Sequence, residues 1–195
     1  MESHFLAYLY RLRYIKRWSL MRNVLHENVA EHSYHVVLLT HVLCSIAKQI
    51  YGRSIDTGRA LELALFHDAT EVFTGDIPTP VKHHNKDILN NFREIESLAA
   101  SKLTAMVPDA LRDTYEPLLT GKQQRDELGQ LVKAADLLDA YIKCIMELSA
   151  GNREFAVAKK QIEASIASLQ LQEVSYFLEH LMPSLEKTVD ELTDQ

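Results

Sequence analysis

The run LELALFHDATEVFTGDIPTP spans Leu61 to Pro80. An apolar, helix-forming segment ends in His67-Asp68, Glu71 follows, and Gly75-Asp76 opens a Pro-Thr-Pro loop. A histidine and an acid side by side at the end of an apolar helix are costly to bury without a partner. A divalent metal is such a partner. At about 100° per residue, a helix continuing to Phe73 sets Glu71 about 40° round from His67, projecting between it and Asp68. On that reading His67 and Asp68 ligate one ion, and Glu71 stays free for proton or water work. The alternative is a satisfied histidine beside an exposed pair of helix-end acids.

A metal needs further ligands, and the upstream candidates are His26, His32, His35 and His41. Asn28 reads as an N-cap with Glu31 three residues on, a box-like start for a helix running through VVLLTHVLCSIAKQI to near Gly52. His32 falls in its first turn. The positive helix end there disfavours imidazolium, and a metal requires the neutral ring. His35 is one turn on and reads as a core residue or a support behind the ligands. His41 lies in the apolar run and reads as packed. No HExxH pattern occurs, which excludes a zincin. Asp136, in LVKAADLLDAY, offers a fourth ligand. Lys133, Asp136, Asp139 and Lys143 nevertheless share a face at i, i+3 and i+4 spacings, so an ion-paired stripe is an equal reading.

The rest of the chain reads as helix. Residues 3–16 place Phe5, Leu6, Tyr8, Leu9, Leu12 and Ile15 near helical period, and a polar connector runs from Arg17 to Asn28. Asp56 caps the helix that leads into His67-Asp68. Gly75 to His84 is a loop in which Pro78 and Pro80 forbid helix. Helices follow over 86–106, from Pro108 to before Gly121, over 124–149 with Gly151 as its stop, from the Asn152 cap to about 168, and over 171–192 with a break at Pro183. No strand pattern, repeat or low-complexity segment appears. The expectation is an all-α chain forming one compact domain over residues 1–195. Ile162, Ile166, Leu169, Leu171, Tyr176, Phe177 and Leu181 either cover the core or meet a second copy.

Composition sets outer bounds. A chain of 195 residues, 47% hydrophobic, suits one sizeable core. The net charge is −6, while residues 1–25 hold five bases against Glu2. An acidic body argues against a broad nucleic-acid surface, and the basic start can receive a small anion. Cys44 and Cys144 show no metal spacing and read as reduced, buried thiols. No apolar run approaches the ~20 residues of a membrane span, and no signal-peptide layout is present.

The ordered set His32, His67-Asp68 and Asp136 resembles the H…HD…D signature of the HD-domain metal-dependent phosphohydrolases. The likeness extends from Arg17-Trp18 through ENVAEHS, HDATEVFTGDIPTPVK and LVKAADLLDAYIKC to AGNREF and the helical tail. Over nearly its whole length the chain resembles the bacterial 5′-deoxynucleotidase family. That resemblance implies an HD fold that removes phosphate from deoxyribonucleoside 5′-monophosphates. It implies His32, His67, Asp68 and Asp136 as metal ligands and Glu71 as the catalytic carboxylate, with Arg17 serving the phosphate. Substrate contacts would come from Arg17, Trp18, His32, Asp68, Asp76, Ile77, Pro78, Thr79 and Asp136. It further implies one divalent transition metal (cobalt, manganese, copper, zinc or iron, among which ligand softness does not choose) and a cytoplasmic homodimer without membrane or polymeric nucleic-acid partners. A rigid Trp18 indole would leave no room for a 2′-hydroxyl, and Asp76 would accept a hydrogen bond from the 3′-hydroxyl. On residues alone, Arg17 is a helix-end base, Trp18 a packing anchor and Asp76 a turn former. Two rivals stand beside this reading: an HD enzyme acting on a deoxynucleoside triphosphate or cyclic nucleotide, and a non-catalytic HD nucleotide-binding module.

Overall fold

The computed structural model describes residues 2–82, 84–121 and 126–193, and the side chains of Thr79 and Pro80 also lie outside the description. Among the described residues every regular element is helical, with one isolated bridge between Lys16 and Asn28. α1 covers Phe5–Leu9 and tightens into a 3₁₀ turn over Tyr10–Tyr14, as helix ends commonly do, in place of one helix to residue 16. α2 covers Val29–Gln49. Asn28 Oδ1 accepts from the amides of Ala30 (3.0 Å) and Glu31 (3.1 Å), and Glu31 returns an oxygen to the Asn28 amide at 3.2 Å. Such a reciprocal cap contributes about 1 kcal/mol and fixes where the helix begins.

α2 buries Val36, Leu39, Leu43, Cys44 and Ala47. His41 falls off that stripe and is exposed, contrary to the packed position expected of it. α3, Thr57–Phe66, starts on Asp56, whose Oδ1 accepts the Arg59 amide at 3.0 Å. It ends at Phe66 rather than Phe73. His67 to Thr70 form a turn, and Glu71 opens a new short helix, α4, Glu71–Thr74. The wheel geometry that assumed one continuous helix therefore does not apply. Gly75 ends α4 with φ at 70°, a conformation that favours glycine. α5, Thr79–Lys82, is a second departure, since this stretch reads as loop. Pro80 sits in its first turn, where no backbone N–H is required.

α6, Lys86–Met106, is capped by Asn85. A 3₁₀ turn after Pro108 leads into α7, Arg112–Leu119. α8, Glu127–Ser149, begins on the Asp126 cap; the expected start at 124 lies outside the described residues. α8 runs through the middle of the main core, where Leu131, Ala134, Ala135 and Leu138 meet the buried faces of α2 and α3. Each large apolar side chain buried there contributes roughly 1.5–3 kcal/mol. A smaller cluster of Phe5, Ala69, Leu103, Val107 and Leu119 packs beneath the His67 turn.

Asn152 caps a 3₁₀ turn over Arg153–Phe155, followed by α9, Ala156–Leu169. α10, Gln172–His180, a 3₁₀ turn at Pro183 and α11, Val189–Thr193, complete the chain. Ile166 and Phe177 are buried, and Ile162, Leu169, Leu171 and Tyr176 pack on the core, so α9 and α10 cover it. Leu181 stays exposed. The exposed apolar groove lies elsewhere, at Leu6, Tyr10, Tyr34 and Leu65, and holds about 420 Å³. Cys44 and Cys144 are free and buried. No helix among the described residues is long and apolar enough to cross a membrane.

Candidate metal centre and active site

Three elements meet at one point. The first turn of α2 supplies His32, the turn after α3 supplies His67 and Asp68, and the middle of α8 supplies Asp136. His32 Nε2 lies 3.2 Å from His67 Nε2, 3.3 Å from Asp68 Oδ2 and 3.5 Å from Asp136 Oδ1. His67 Nε2 is 3.1 Å from the same Asp68 oxygen. The other ring nitrogens are engaged: His32 Nδ1 meets Asp139 Oδ2 at 2.6 Å, and His67 Nδ1 meets the Ala64 carbonyl at 2.8 Å. Both partners are acceptors, so each neutral ring donates from Nδ1 and turns the lone pair of Nε2 inward. The ligand atoms of His32, His67 and Asp68 lie within 4.8 Å of one another, and Asp136 Oδ1 adjoins the group through His32; two lone pairs beside these carboxylates repel unless a cation joins them. This nitrogen–oxygen donor set fits a divalent transition metal.

A proton competes for the same nitrogens. Burial opposes the charged form of His32, but hydrogen bonds to Asp136, Asp139 and Asp68 outweigh it and raise the pKa well above the ordinary range. Burial also opposes the charge on Asp68, yet His67 and His32 hold its carboxyl well below the ordinary range. Asp136 is held low against burial by His32 and Lys133. Lys133 Nζ sits 2.7 Å from Asp136 Oδ2, leaving Oδ1 turned toward His32. The charged face of α8 is thus no uniform stripe. Lys133 pairs with Asp136, Asp139 crosses to His32, and Lys143 turns to Glu147.

Asp139 is the functional candidate that the sequence reading passed over. It is buried, and it engages His35 Nδ1 at 3.4 Å as well as His32. A carboxylate in this place fixes both the tautomer and the orientation of a ligand histidine. Its only sequence signal is an acid in an apolar helix three residues beyond Asp136. Glu27 was passed over too. Its Oε1 lies 3.5 Å from Arg17 Nε and 3.8 Å from His32 Nδ1, and neither oxygen has a hydrogen-bond partner among the described residues.

Glu71 lines a cavity of about 730 Å³ together with His67, Asp68, Asp136, Lys82 and Lys133. Its Oε2 is buried without a hydrogen-bond partner among the described residues. Burial, reinforced by the charges of Asp68 and Asp76, pushes its carboxyl up to about 9. Arg17 reaches the centre from the connector, with Nη1 3.7 Å from Asp68 Oδ2. Burial disfavours its charge, but Glu27, Asp136, Asp68 and Asp76 together retain it.

Trp18 and Asp76, distant in sequence, are joined: the Trp18 amide donates to Asp76 Oδ2 at 3.2 Å. The indole packs 5.3 Å from the Phe155 ring, and its Nε1 is buried without a partner among the described residues. Ile77 and Pro78 are half-buried in the loop beside Asp76. Thr79 opens α5, and its side chain lies outside the described residues. Arg17, Trp18 and Asp76 are not among the described walls of the cavity. Trp18 lies toward the C-terminal end of α8, on Phe155, whereas the cavity follows its N-terminal half.

A family model described as 5′-deoxynucleotidase YfbR-like matches residues 4–185. The 5′-deoxynucleotidase YfbR of Shigella boydii serotype 18 is 47% identical over 192 residues, covering 98% of this chain and 96% of the relative. Its namesake from Escherichia coli is 46% identical with the same coverage. Among solved structures, an HD-domain phosphohydrolase from Listeria innocua is 26% identical and superposes with a TM-score of 0.83, covering 93% of this chain and 88% of that one. A cyanophage S-2L HD phosphohydrolase, solved bound to dA and one catalytic Zn²⁺ ion, is 22% identical with a TM-score of 0.62, and shares the fold. The all-helical architecture, the sequence match along almost the entire chain and these likenesses agree: the chain belongs to the YfbR-like 5′-deoxynucleotidase family and has the HD-domain phosphohydrolase fold.

Proposed function

We propose that this protein is a metal-dependent 5′-deoxynucleotidase that hydrolyses deoxyribonucleoside 5′-monophosphates to deoxynucleoside and phosphate and discriminates against ribonucleotides. The observation that carries the reading is the meeting of the His32 and His67 Nε2 lone pairs with the Asp68 carboxylate, beside which Asp136 Oδ1 stands 3.5 Å from His32 Nε2. The name borne by relatives 47% identical supports the substrate class.

His32, His67, Asp68 and Asp136 hold one divalent transition ion, and cobalt, manganese, copper and zinc all suit these donors. Such an ion supplies Lewis-acid charge neutralisation at a phosphoryl oxygen and makes water more acidic. Arg17, kept charged by the acids around it, offers a planar fork of donors to phosphate oxygens and orients the group. Glu71 faces the cavity in a buried setting that favours its protonated form, which suits exchange of a proton with water or with the leaving 5′ oxygen.

Trp18 closes the space at the sugar 2′ carbon, so a hydroxyl there meets the indole. Asp76 keeps one oxygen on the Trp18 amide and offers the other to the 3′-hydroxyl. Ile77, Pro78 and Thr79 complete the substrate loop. The chain acts as a single HD domain in the cytoplasm, without membrane or polymeric nucleic acid. It works as a homodimer, and the exposed apolar groove at Leu6, Tyr10, Tyr34 and Leu65 supports an interface between copies.

The test is metal analysis of the purified protein combined with a phosphate-release screen. The panel holds deoxyribo- and ribonucleoside mono-, di- and triphosphates and cyclic nucleotides. Release from the deoxyribonucleoside monophosphates, dependent on bound metal and much weaker from ribose counterparts, is expected. Preference for a triphosphate or cyclic nucleotide would overturn the substrate, and bound metal without hydrolysis of any of them would overturn the enzyme.

A further inference from the structure

The connector that presents Arg17 and Trp18 has no helix of its own between Ile15 and Asn28. Trp18 also stands at φ 54°, a left-handed conformation that a bulky side chain rarely adopts. Something outside the connector must hold it there. Its turn is closed by the Met21 amide on the Trp18 carbonyl at 3.0 Å, and Asn23 Nδ2 joins the same carbonyl at 3.1 Å.

The outer support is Glu147, fully buried near the C-terminal end of α8. Its carboxylate accepts the amides of Val24 at 2.9 Å and Leu25 at 3.0 Å. It also accepts from Asn152 Nδ2 at 2.7 Å and from the Lys143 ammonium. Lys143 donates in turn to the Leu25 carbonyl, and Asn152 Nδ2 reaches the Arg22 carbonyl at 2.7 Å. Lys143 and Glu147 of α8, with Asn152 just beyond its end, thus grip the backbone of residues 22–25. Phe155, in the turn that follows, is fully buried and packs on the Trp18 ring. Asn152 and Phe155 both belong to the AGNREF stretch, which has no place in the reaction described above.

We propose that Glu147, Asn152 and Phe155 form the seat of Trp18 and thereby set the selection of deoxyribose, Glu147 acting as a positioning residue that does not touch substrate. The inference rests on the reading of Trp18 as the contact at the sugar 2′ carbon. Stability alone does not account for an ionised cluster here, since well-packed apolar side chains of similar volume can hold a core as well or better. This cluster spends its acceptors on the backbone of the connector, where geometry and not depth of burial is gained.

Trp18 is the only tryptophan in the chain, so its fluorescence reports this seat and nothing else. The metal-loaded variants Glu147→Gln and Asn152→Ala are compared with wild type and Trp18→Ala. The readings are emission maximum, acrylamide quenching, bound metal, and kcat and KM for dAMP and AMP. Both seat variants are expected to keep their metal, shift the emission to the red and quench faster. Their dAMP-over-AMP preference in kcat/KM is expected to drop about tenfold or more, since a misplacement of about 1 Å can cost about 100-fold. Loss of overall stability alone moves neither the emission of the folded protein nor that ratio. Wild-type emission and wild-type preference in folded Asn152→Ala overturn the proposal, even if Glu147→Gln does not fold. If the seat variants shift the emission while Trp18→Ala keeps full discrimination, the seat stands and the reading of Trp18 as the sugar filter falls.

Discussion

Replacing Asp139 should weaken metal binding although Asp139 lies outside the proposed ligand set. Its Oδ2 lies 2.6 Å from His32 Nδ1 in a buried setting, and its Oδ1 lies 3.4 Å from His35. Without that acceptor the His32 proton is free to move to Nε2, and the lone pair that faces the centre is lost. A hydrogen bond to a charged partner contributes about 1.5–3 kcal/mol, against about 1 kcal/mol for a neutral one. At about 1.4 kcal/mol per decade, Asp139→Ala should weaken metal affinity about 10- to 100-fold, and Asp139→Asn, which keeps an acceptor, about tenfold or less. The assay is equilibrium competition of each metal-free variant with a fluorescent chelator for cobalt or zinc. Circular dichroism checks the fold. His35→Ala serves as the control, because it takes a partner from Asp139 but leaves the His32 bond in place. A folded Asp139→Ala protein that binds metal as tightly as wild type refutes the argument that the outer hydrogen bond sets the inner lone pair.

Glu71→Ala should retain bound metal and lose about 10²- to 10⁴-fold in kcat, the range of general acid–base catalysis; unchanged turnover in a metal-replete sample removes Glu71 from the chemistry. Glu147 carries an acid limb of stability. Burial raises its pKa, but hydrogen bonds from Lys143, Val24, Asn152 and Leu25 prevail and lower it to about 2 from an ordinary 4.5. The stability it contributes is therefore complete above the ordinary value and lost as pH falls toward 2. Melting temperatures between neutral pH and pH about 3 should fall less steeply in Glu147→Gln than in wild type, and parallel curves refute this. Burial pushes the thiols of Cys44 and Cys144 up to about 11. Both should resist a thiol reagent in the folded protein and react on unfolding, so rapid labelling of native protein contradicts their burial.

The parts of the fold that depend on near neighbours were legible from sequence. The Asn28–Glu31 cap, the Asp56 cap and the Gly151 stop each involve residues a few positions apart, and each is present. The end of α3 was not legible. His67-Asp68-Ala69-Thr70 contains no breaker, and the turn forms where the His67 ring bonds the Ala64 carbonyl and Ala69 packs among Phe5, Leu103 and Leu119. The HD pair and the helix start that carries His32 are local signals, whereas Asp136 read equally as part of an ion-paired stripe and joined the set through the family resemblance. Asp139 was not legible. In α8 it looks like Asp136, and what separates them is which nitrogen of the distant His32 ring each one meets. Trp18 and Asp76 are likewise joined by a bond that local pattern does not encode.

α8 also acts as a ruler. Asp136 faces the centre, Asp139 holds the outer nitrogen of His32, and Lys143 and Glu147 hold the connector that bears Trp18. From Asp136 to Glu147 the helix rises about 16 Å, and its pitch keeps all four on one side. The distance between the candidate metal centre and the connector that bears Trp18 is thus written in helical turns of a single rod. Adding or removing one residue between them rotates one end by about 100° relative to the other. A length change in the 136–147 span therefore misaligns the candidate metal centre with the grip on the connector, which a length change in a surface loop does not do.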